Sequence, residues 1–267
     1  MITDEFELPE EQALEVKRPL EPQSRALIIG ASAGIGAALM QTLAAQGYVV
    51  AGVARRQAEL EAVCAAINEQ RPGCALSVVH DVTDYERVPA LFQEVTRRLN
   101  GLDLVIYVAG VMPPVAANEY DFHKDKLMVE VNLLGAMAWL DQAAIRFQRA
   151  GRGHIVGIGS IAGDRGRRGN PAYHASKAGL HTYLESLRNR LSQHGVTVTT
   201  IKPGMVNTQM LAHVERAMWP ISATDAADQI AAAIQQKRQT AYVPARWQLV
   251  SLIIRHLPSF IFRRLNF

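Results

Sequence analysis

The sequence predicts one doubly wound α/β domain, a parallel sheet with helices on both faces, and three observations predict it. From Arg25 onward, short apolar runs alternate with longer stretches of helical spacing. The runs are apolar at successive rather than alternate positions, as strands buried on both faces require. A glycine-rich turn joins the first run to the first helical stretch. At 267 residues, 49% hydrophobic and 20% charged, the chain has the length and composition of a soluble globular protein with a substantial core. Right-handed crossovers follow from the chirality of strand–helix–strand units.

The elements follow in order. "RALIIG" (25–30) reads as a buried strand, and "GIGAALMQTLAAQG" (34–47) as a helix with Ile35, Leu39 and Leu43 on one face and Gly47 as its stop. "YVVAGVA" is a second strand and "QAELEAVCAAINEQ" a second helix. "ALSVVHDV" leads to a helix from about Tyr85 to Leu99, and "LDLVIYVAG" to one long helical region from about Tyr120 to Arg149. "GHIVGIGS", a helix containing Tyr173, the strand "VTVTTIKPG", a helix after Thr224 and a short strand "TAYVP" complete a domain spanning residues 25–245.

The two ends have opposite signs. Residues 1–24 hold seven acidic residues and three prolines without a sustained apolar stripe, which predicts a flexible acidic extension without a signal-peptide core. No acidic residue follows Asp228, and residues 246–267 form a basic amphipathic segment. A net charge of +3 gives no argument for nucleic acid. Cys64 and Cys74 have no histidines at ligand spacing, so no metal site is expected; two reduced thiols suit a cytoplasmic protein.

In the turn "GASAGIG", Gly30, Gly34 and Gly36 let the backbone approach a pyrophosphate closely, and the helix start offers free N–H groups to an anion. At the end of the second strand, "VARR" puts Ala54 where an acidic residue would accept from a ribose 2′-hydroxyl, followed by Arg55 and Arg56. Two arginines there suit a 2′-phosphate, with Ser32 as an added hydroxyl donor; the plainer alternative is two solvated arginines. Further on, Tyr173 and Lys177 lie four apart on one helix face. An ammonium near a phenol favours the phenolate and brings its pKa down toward working pH, which suits general acid/base chemistry. Ser160 stands thirteen residues before Tyr173, at the carboxyl end of a strand where parallel sheets open toward a ligand.

"GASAGIG", "HDV", "VAG", Asn132, Ser160, "YHASK" and "KPG" occur in order from about Ser24 to Pro244, and together they resemble the short-chain dehydrogenase/reductase family. The resemblance implies a Rossmann-type sheet and an NAD or NADP cofactor, and the basic pair selects NADP. It implies that Gly30, Ser32, Gly34, Ile35, Gly36, Arg55 and Arg56 hold the cofactor. Asp81 would take the adenine amino group with Val82 beside it, Gly110 would line the ribose, and Pro203, Gly204 and Thr208 would hold the nicotinamide end. Ser160 would hydrogen-bond the reacting oxygen and Tyr173 transfer the proton. Lys177 would lower the tyrosine pKa and hold the ribose, and Asn132 would position a water behind the lysine. The family's usual "NAG" is "VAG" here, so Val108 removes a support of the central strand.

These readings combine into an NADP-dependent oxidoreductase interconverting a ketone and a secondary alcohol, with an apolar small-molecule substrate and homo-oligomeric assembly. The rivals are a 3-ketoacyl or 3-keto-lipid reductase and a non-catalytic NADP-binding scaffold or redox sensor. "MLAHVERAMWP" is either a lid over an apolar substrate or a packed helix, and "DRGRRG" (164–169) either an attractor for an anionic substrate group or a solvated loop. Pro258 and Arg255 make the C-terminal segment a poor membrane span, leaving peripheral contact with a membrane or packing on another subunit.

Overall fold

The computed structural model describes residues 24–116, 118–211 and 218–264. Seven strands form one sheet: β1 (Arg25–Ile29), β2 (Val49–Ala54), β3 (Ala75–Val79), β4 (Leu104–Tyr107), β5 (Gly153–Ile158), β6 (Val196–Pro203) and β7 (Thr240–Val243). All neighbours are parallel, in the order β3-β2-β1-β4-β5-β6-β7. The order reverses between β1 and β4, where Ile29 stands level with Val53 on one side and Tyr107 on the other. Ligands of open parallel sheets bind beyond the carboxyl ends of the strands at such a reversal.

The two-residue period of a strand divides the core. Ala26 and Ile28 of β1 face one layer with α1 (Gly34–Ala45), α2 (Gln57–Gln70) and α7 (Ala223–Gln235). Leu27 and Ile29 face the other, with α3 (Val88–Arg98), α5 (Gly135–Ala150) and α6 (Pro171–Leu191). Buried strands flanked on both sides explain the unbroken apolar runs.

The long helical region expected over 120–149 is interrupted. Asp121 caps α4 (Phe122–Val129) by accepting from the His123 and Lys124 amides, and a π-helical turn at Glu130–Leu134 separates it from α5. Tyr107 explains how the turn is tolerated: its buried hydroxyl donates to the Val131 carbonyl. At β4 the strand end is held by backbone, since the Val108 and Ala109 amides both donate to the Ile29 carbonyl.

Beyond β7, α8 (Arg246–His256) buries Trp247 and Ser251 against the domain, and α9 (Ser259–Phe262) follows Pro258. Gly204 makes room for α8, since a Cβ there would fall inside the Trp247 indole. Of the acidic extension, residues 1–23 lie outside the described residues, as do residues 212–217 of the segment read as a lid. No described helix is long and apolar enough to cross a membrane.

Candidate active site

A cavity of about 790 Å³ opens at the sheet reversal. Its near wall is the turn from β1 to α1. Gly30 adopts φ +100°, and a Cβ on it would strike the Ala109 backbone; a Cβ on Gly36 would strike the Gly30 carbonyl. Only glycine lets β1, β4 and α1 approach this closely. The Ala33 cap of α1 offers no side-chain acceptor and the first turn holds no acid, so the helix start is suited to an anion.

Arg56 closes one end of this wall. Its Nη2 and Nε donate to Ser32 Oγ at 3.0 and 3.3 Å, and its Nη1 to Gln209 Oε1 at 2.9 Å, joining the glycine turn to the loop after β6. Arg55 instead lies 3.4 Å from Asp81. Burial pushes the Asp81 carboxyl up, but donation from Thr83 and the Arg55 charge outweigh it and leave its pKa lowered. Asp81 does not line the cavity, whereas its neighbours His80 and Val82 do.

The far wall gathers the polar set. Ser160 stands two residues beyond β5, and its Oγ accepts from the Ala162 amide at 3.1 Å. Tyr173 and Lys177 project from the first turns of α6, both buried, with Lys177 Nζ 5.9 Å from the phenol ring centre. Lys177 Nζ donates to the Ile158 carbonyl at 3.0 Å. A Cβ on Gly110 would lie 3.3 Å from Asn132 Oδ1 and 3.5 Å from Lys177 Nζ, so that glycine marks the floor. Pro203, Gly204 and Thr208 complete the cavity beside the glycine turn.

The sequence matches the short chain dehydrogenase family over residues 24–219. The chain belongs to that family. It is 34% identical over 224 residues to an uncharacterized oxidoreductase of Mycobacterium tuberculosis, covering 83% of this chain and 88% of that one. An uncharacterized oxidoreductase of Myxococcus xanthus is 37% identical over 188 residues, 70% of this chain and 74% of its own. Among solved structures, a short-chain dehydrogenase from Streptomyces avermitilis superposes with a TM-score of 0.74 at 25% identity, over 86% of this chain and 94% of that one. ElxO with NADP bound shares the fold at a TM-score of 0.71 and 21% identity, over 78% and 90%. As a short-chain dehydrogenase, this chain is an oxidoreductase that uses a nicotinamide cofactor and acts on a small molecule.

One expectation changes, and Asn132 shows contacts that the sequence did not. The Tyr173 phenol is not brought down: burial raises its pKa, and the hydrogen bond with Ser160 offsets this only in part. Lys177 is the group that moves down, to about 8, because burial penalises its charge. Asn132 is a fastening: fully buried in the π turn, its Oδ1 accepts from the Val111 amide at 2.8 Å, while Nδ2 donates to the Val111 carbonyl and to Ser176 Oγ, each at 3.1 Å. Its amide therefore ties the chain beyond β4 to α6.

Sequence reading missed a buried network behind Ser160. The Ser160 amide donates to His181 Nε2 at 3.4 Å, and His181 Nδ1 lies 3.7 Å from Asp164. Asp164 also takes Lys202 of β6, Tyr242 of β7 and Ser251 of α8. Residues 173, 177 and 181 share one face of α6, so the i+4 spacing held a signal for His181. The loop "DRGRRG" is exposed at Gly166, Arg168 and Gly169, yet its arginines are engaged. Arg165 donates to the Ile254 and Leu257 carbonyls and stacks on Phe262, Arg168 donates to the Arg263 carbonyl, and Arg167 lines the cavity.

Proposed function

We propose that this chain is an NADP-dependent oxidoreductase interconverting an apolar ketone and a secondary alcohol. The observation that carries the chemistry is the meeting of Ser160, Tyr173 and Lys177 in a cavity whose opposite wall is the glycine turn. NADP is supported by the Ser32–Arg56 pair and by Ala54 in the acidic position, which together suit a 2′-phosphate. The glycine turn would hold the pyrophosphate, and Gly110, Lys177, Pro203, Gly204 and Thr208 the nicotinamide end.

When bound, the nicotinamide supplies or accepts the hydride. Ser160 Oγ accepts from the Ala162 amide with one of its two lone pairs, and its single proton, shared with Tyr173, would turn to the substrate oxygen. Tyr173, held protonated by its raised pKa, gives its proton to that oxygen during reduction. The Lys177 charge then stabilises the phenolate left behind, and the same groups run in reverse with an alcohol. Met112, Ile161 and Met210 line the substrate side and support an apolar substrate, including a 3-ketoacyl or 3-keto-lipid one. The reading also assigns residues 246–267, of which 265–267 lie outside the described residues, as a contact surface toward a membrane or toward another subunit of a homo-oligomer.

The test is a fluorescence titration with NADPH and NADH. Arg56→Ala should weaken NADPH roughly thirtyfold, the loss of charge-assisted hydrogen bonds, and leave NADH nearly unchanged. Equal binding of both cofactors by the unaltered protein would reject NADP. Tyr173→Phe should cut ketone reduction roughly a thousandfold while NADPH still binds; undiminished turnover would reject the proton-transfer role.

A further inference from the structure

The C-terminal segment is docked with its polar backbone inward and an apolar stripe outward. Trp247 and Ser251 face the domain, and Arg165 and Arg168 hold the carbonyls of Ile254, Leu257 and Arg263. These contacts fix the orientation of α8. Its outer face carries Leu249, Leu252 and Ile253, at the i, i+3, i+4 spacing of one helix side and 64%, 55% and 55% exposed. Phe260 and Ile261 of α9 are exposed as well. A surface helix normally presents the reverse pattern, and an apolar patch rimmed by charge marks a contact surface.

We propose that the outer face of α8 and α9 lies on an anionic lipid bilayer, setting the cavity rim against it, so that the substrate is drawn from the lipid phase. The second half rests on the carbonyl–alcohol reading above. Charge supports the partner: the exposed Arg263 and Arg264 directly follow α9, which carries Phe260 and Ile261, the exposed Arg255 flanks the stripe from the Trp247–Ser251 side of α8, and no acidic residue follows Asp228. Arginines whose stems run along an apolar face place their heads at the level of lipid phosphates. A second copy of the chain suits the patch poorly, because a two-fold contact would bring these arginines toward one another without a counter-charge. The rim argument comes from the loop between Ser160 and Tyr173. Arg165 and Arg168 clasp α8 and α9, while Arg167, Gly169 and Asn170 of the same loop line the cavity, and Gly169 is exposed. The apolar face and the cavity are therefore joined by one short stretch of chain.

The test uses the full chain in flotation with vesicles of equal parts phosphatidylglycerol and phosphatidylcholine, and with phosphatidylcholine alone. The protein should float with the anionic vesicles, and Leu252→Glu/Ile253→Glu should weaken that partition on the order of a hundredfold. Both side chains are exposed, so an unchanged thermal midpoint and NADPH affinity certify the variant's fold. Arg263→Gln/Arg264→Gln should weaken binding to the anionic vesicles alone. Protein that stays in solution overturns the proposal, and a dimer split by Leu252→Glu would give the face to a second copy. In a second arm, a long-chain ketone dissolved in the vesicles is compared with a short water-soluble one. The double glutamate variant should lose turnover of the first and keep the second; equal loss or equal retention overturns the lipid-phase route. Flotation without turnover of any ketone would overturn the reaction assigned above and leave the docking surface standing.

Discussion

Lys177 shows most directly what the site costs the fold. Its ammonium is buried with the Ile158 carbonyl as its hydrogen-bond acceptor, and burial lowers its pKa from 10.5 to about 8. At pH 7 both folded and unfolded chains hold the proton, so the folded state bears the cost of burying a charge, on the order of 3 kcal/mol. Lys177→Met removes that cost and forfeits about 1 kcal/mol for the lost hydrogen bond. Without added cofactor at pH 7, the variant should therefore melt roughly 5 °C higher while losing turnover. The sign reverses nothing but fades with pH: as pH rises through about 8 the folded lysine sheds its proton, so the cost shrinks and is gone near 10.5. Melting curves of the two proteins from pH 6 to 10 should converge; a gap that widens with pH would reject this account. The Tyr–Lys spacing was visible in sequence, whereas the direction of the tyrosine's shift was not, because burial of the phenol depends on α6 facing the sheet.

At the scale of elements, Asp164 is the joint. Its buried carboxylate, in the turn after β5, takes donors from β6, β7 and α8 and lies beside His181 of α6. Burial pushes its pKa up, but donation from Lys202, Ser251 and Tyr242 and the Lys202 charge leave it lowered. Its stabilising contribution is thus present above the unfolded carboxyl pKa and lost as pH falls through the folded value. Asp164→Ala leaves the partly buried Lys202 without its carboxylate, which should cost about 2 kcal/mol in urea unfolding and speed amide exchange across α8. Unchanged exchange in α8 would mean that Trp247 alone holds it. Apart from His181, which continues the i+4 row of Tyr173 and Lys177, this joint was invisible in sequence because its members lie on five elements at no shared spacing. The strands were legible because burial on both faces leaves an unbroken apolar run. The π turn at Glu130–Leu134 was not, since the one feature that explains it, the Tyr107 hydroxyl, comes from a distant strand.

On the scale of the whole molecule, the site bridges the sheet reversal: the glycine turn, Ser32 and Arg56 stand on the β1–β2 side, and Ser160, Tyr173 and Lys177 on the β5 side. The arginines and the free helix start suited to a phosphate meet on the first side, whereas Lys177 of the second is buried and held by the Ile158 carbonyl. On the proposed reading, a ligand carrying the pyrophosphate and 2′-phosphate should gain nearly all its affinity there, and the nicotinamide end should add orientation more than affinity. At about a hundred times its dissociation constant, NADPH should stabilise the fold by about 2.7 kcal/mol, a rise of roughly 5–10 °C in melting temperature. At equal concentration, 2′-phospho-ADP-ribose should protect almost as well and nicotinamide mononucleotide hardly at all. Arg56→Ala should reduce the protection by both phosphorylated ligands together, because the lost contact is common to them. If nicotinamide mononucleotide protected as strongly as 2′-phospho-ADP-ribose, the affinity would reside at the Tyr173 side, and the Ser32–Arg56 pair would be a fastening of the turn to the loop after β6 rather than a phosphate site.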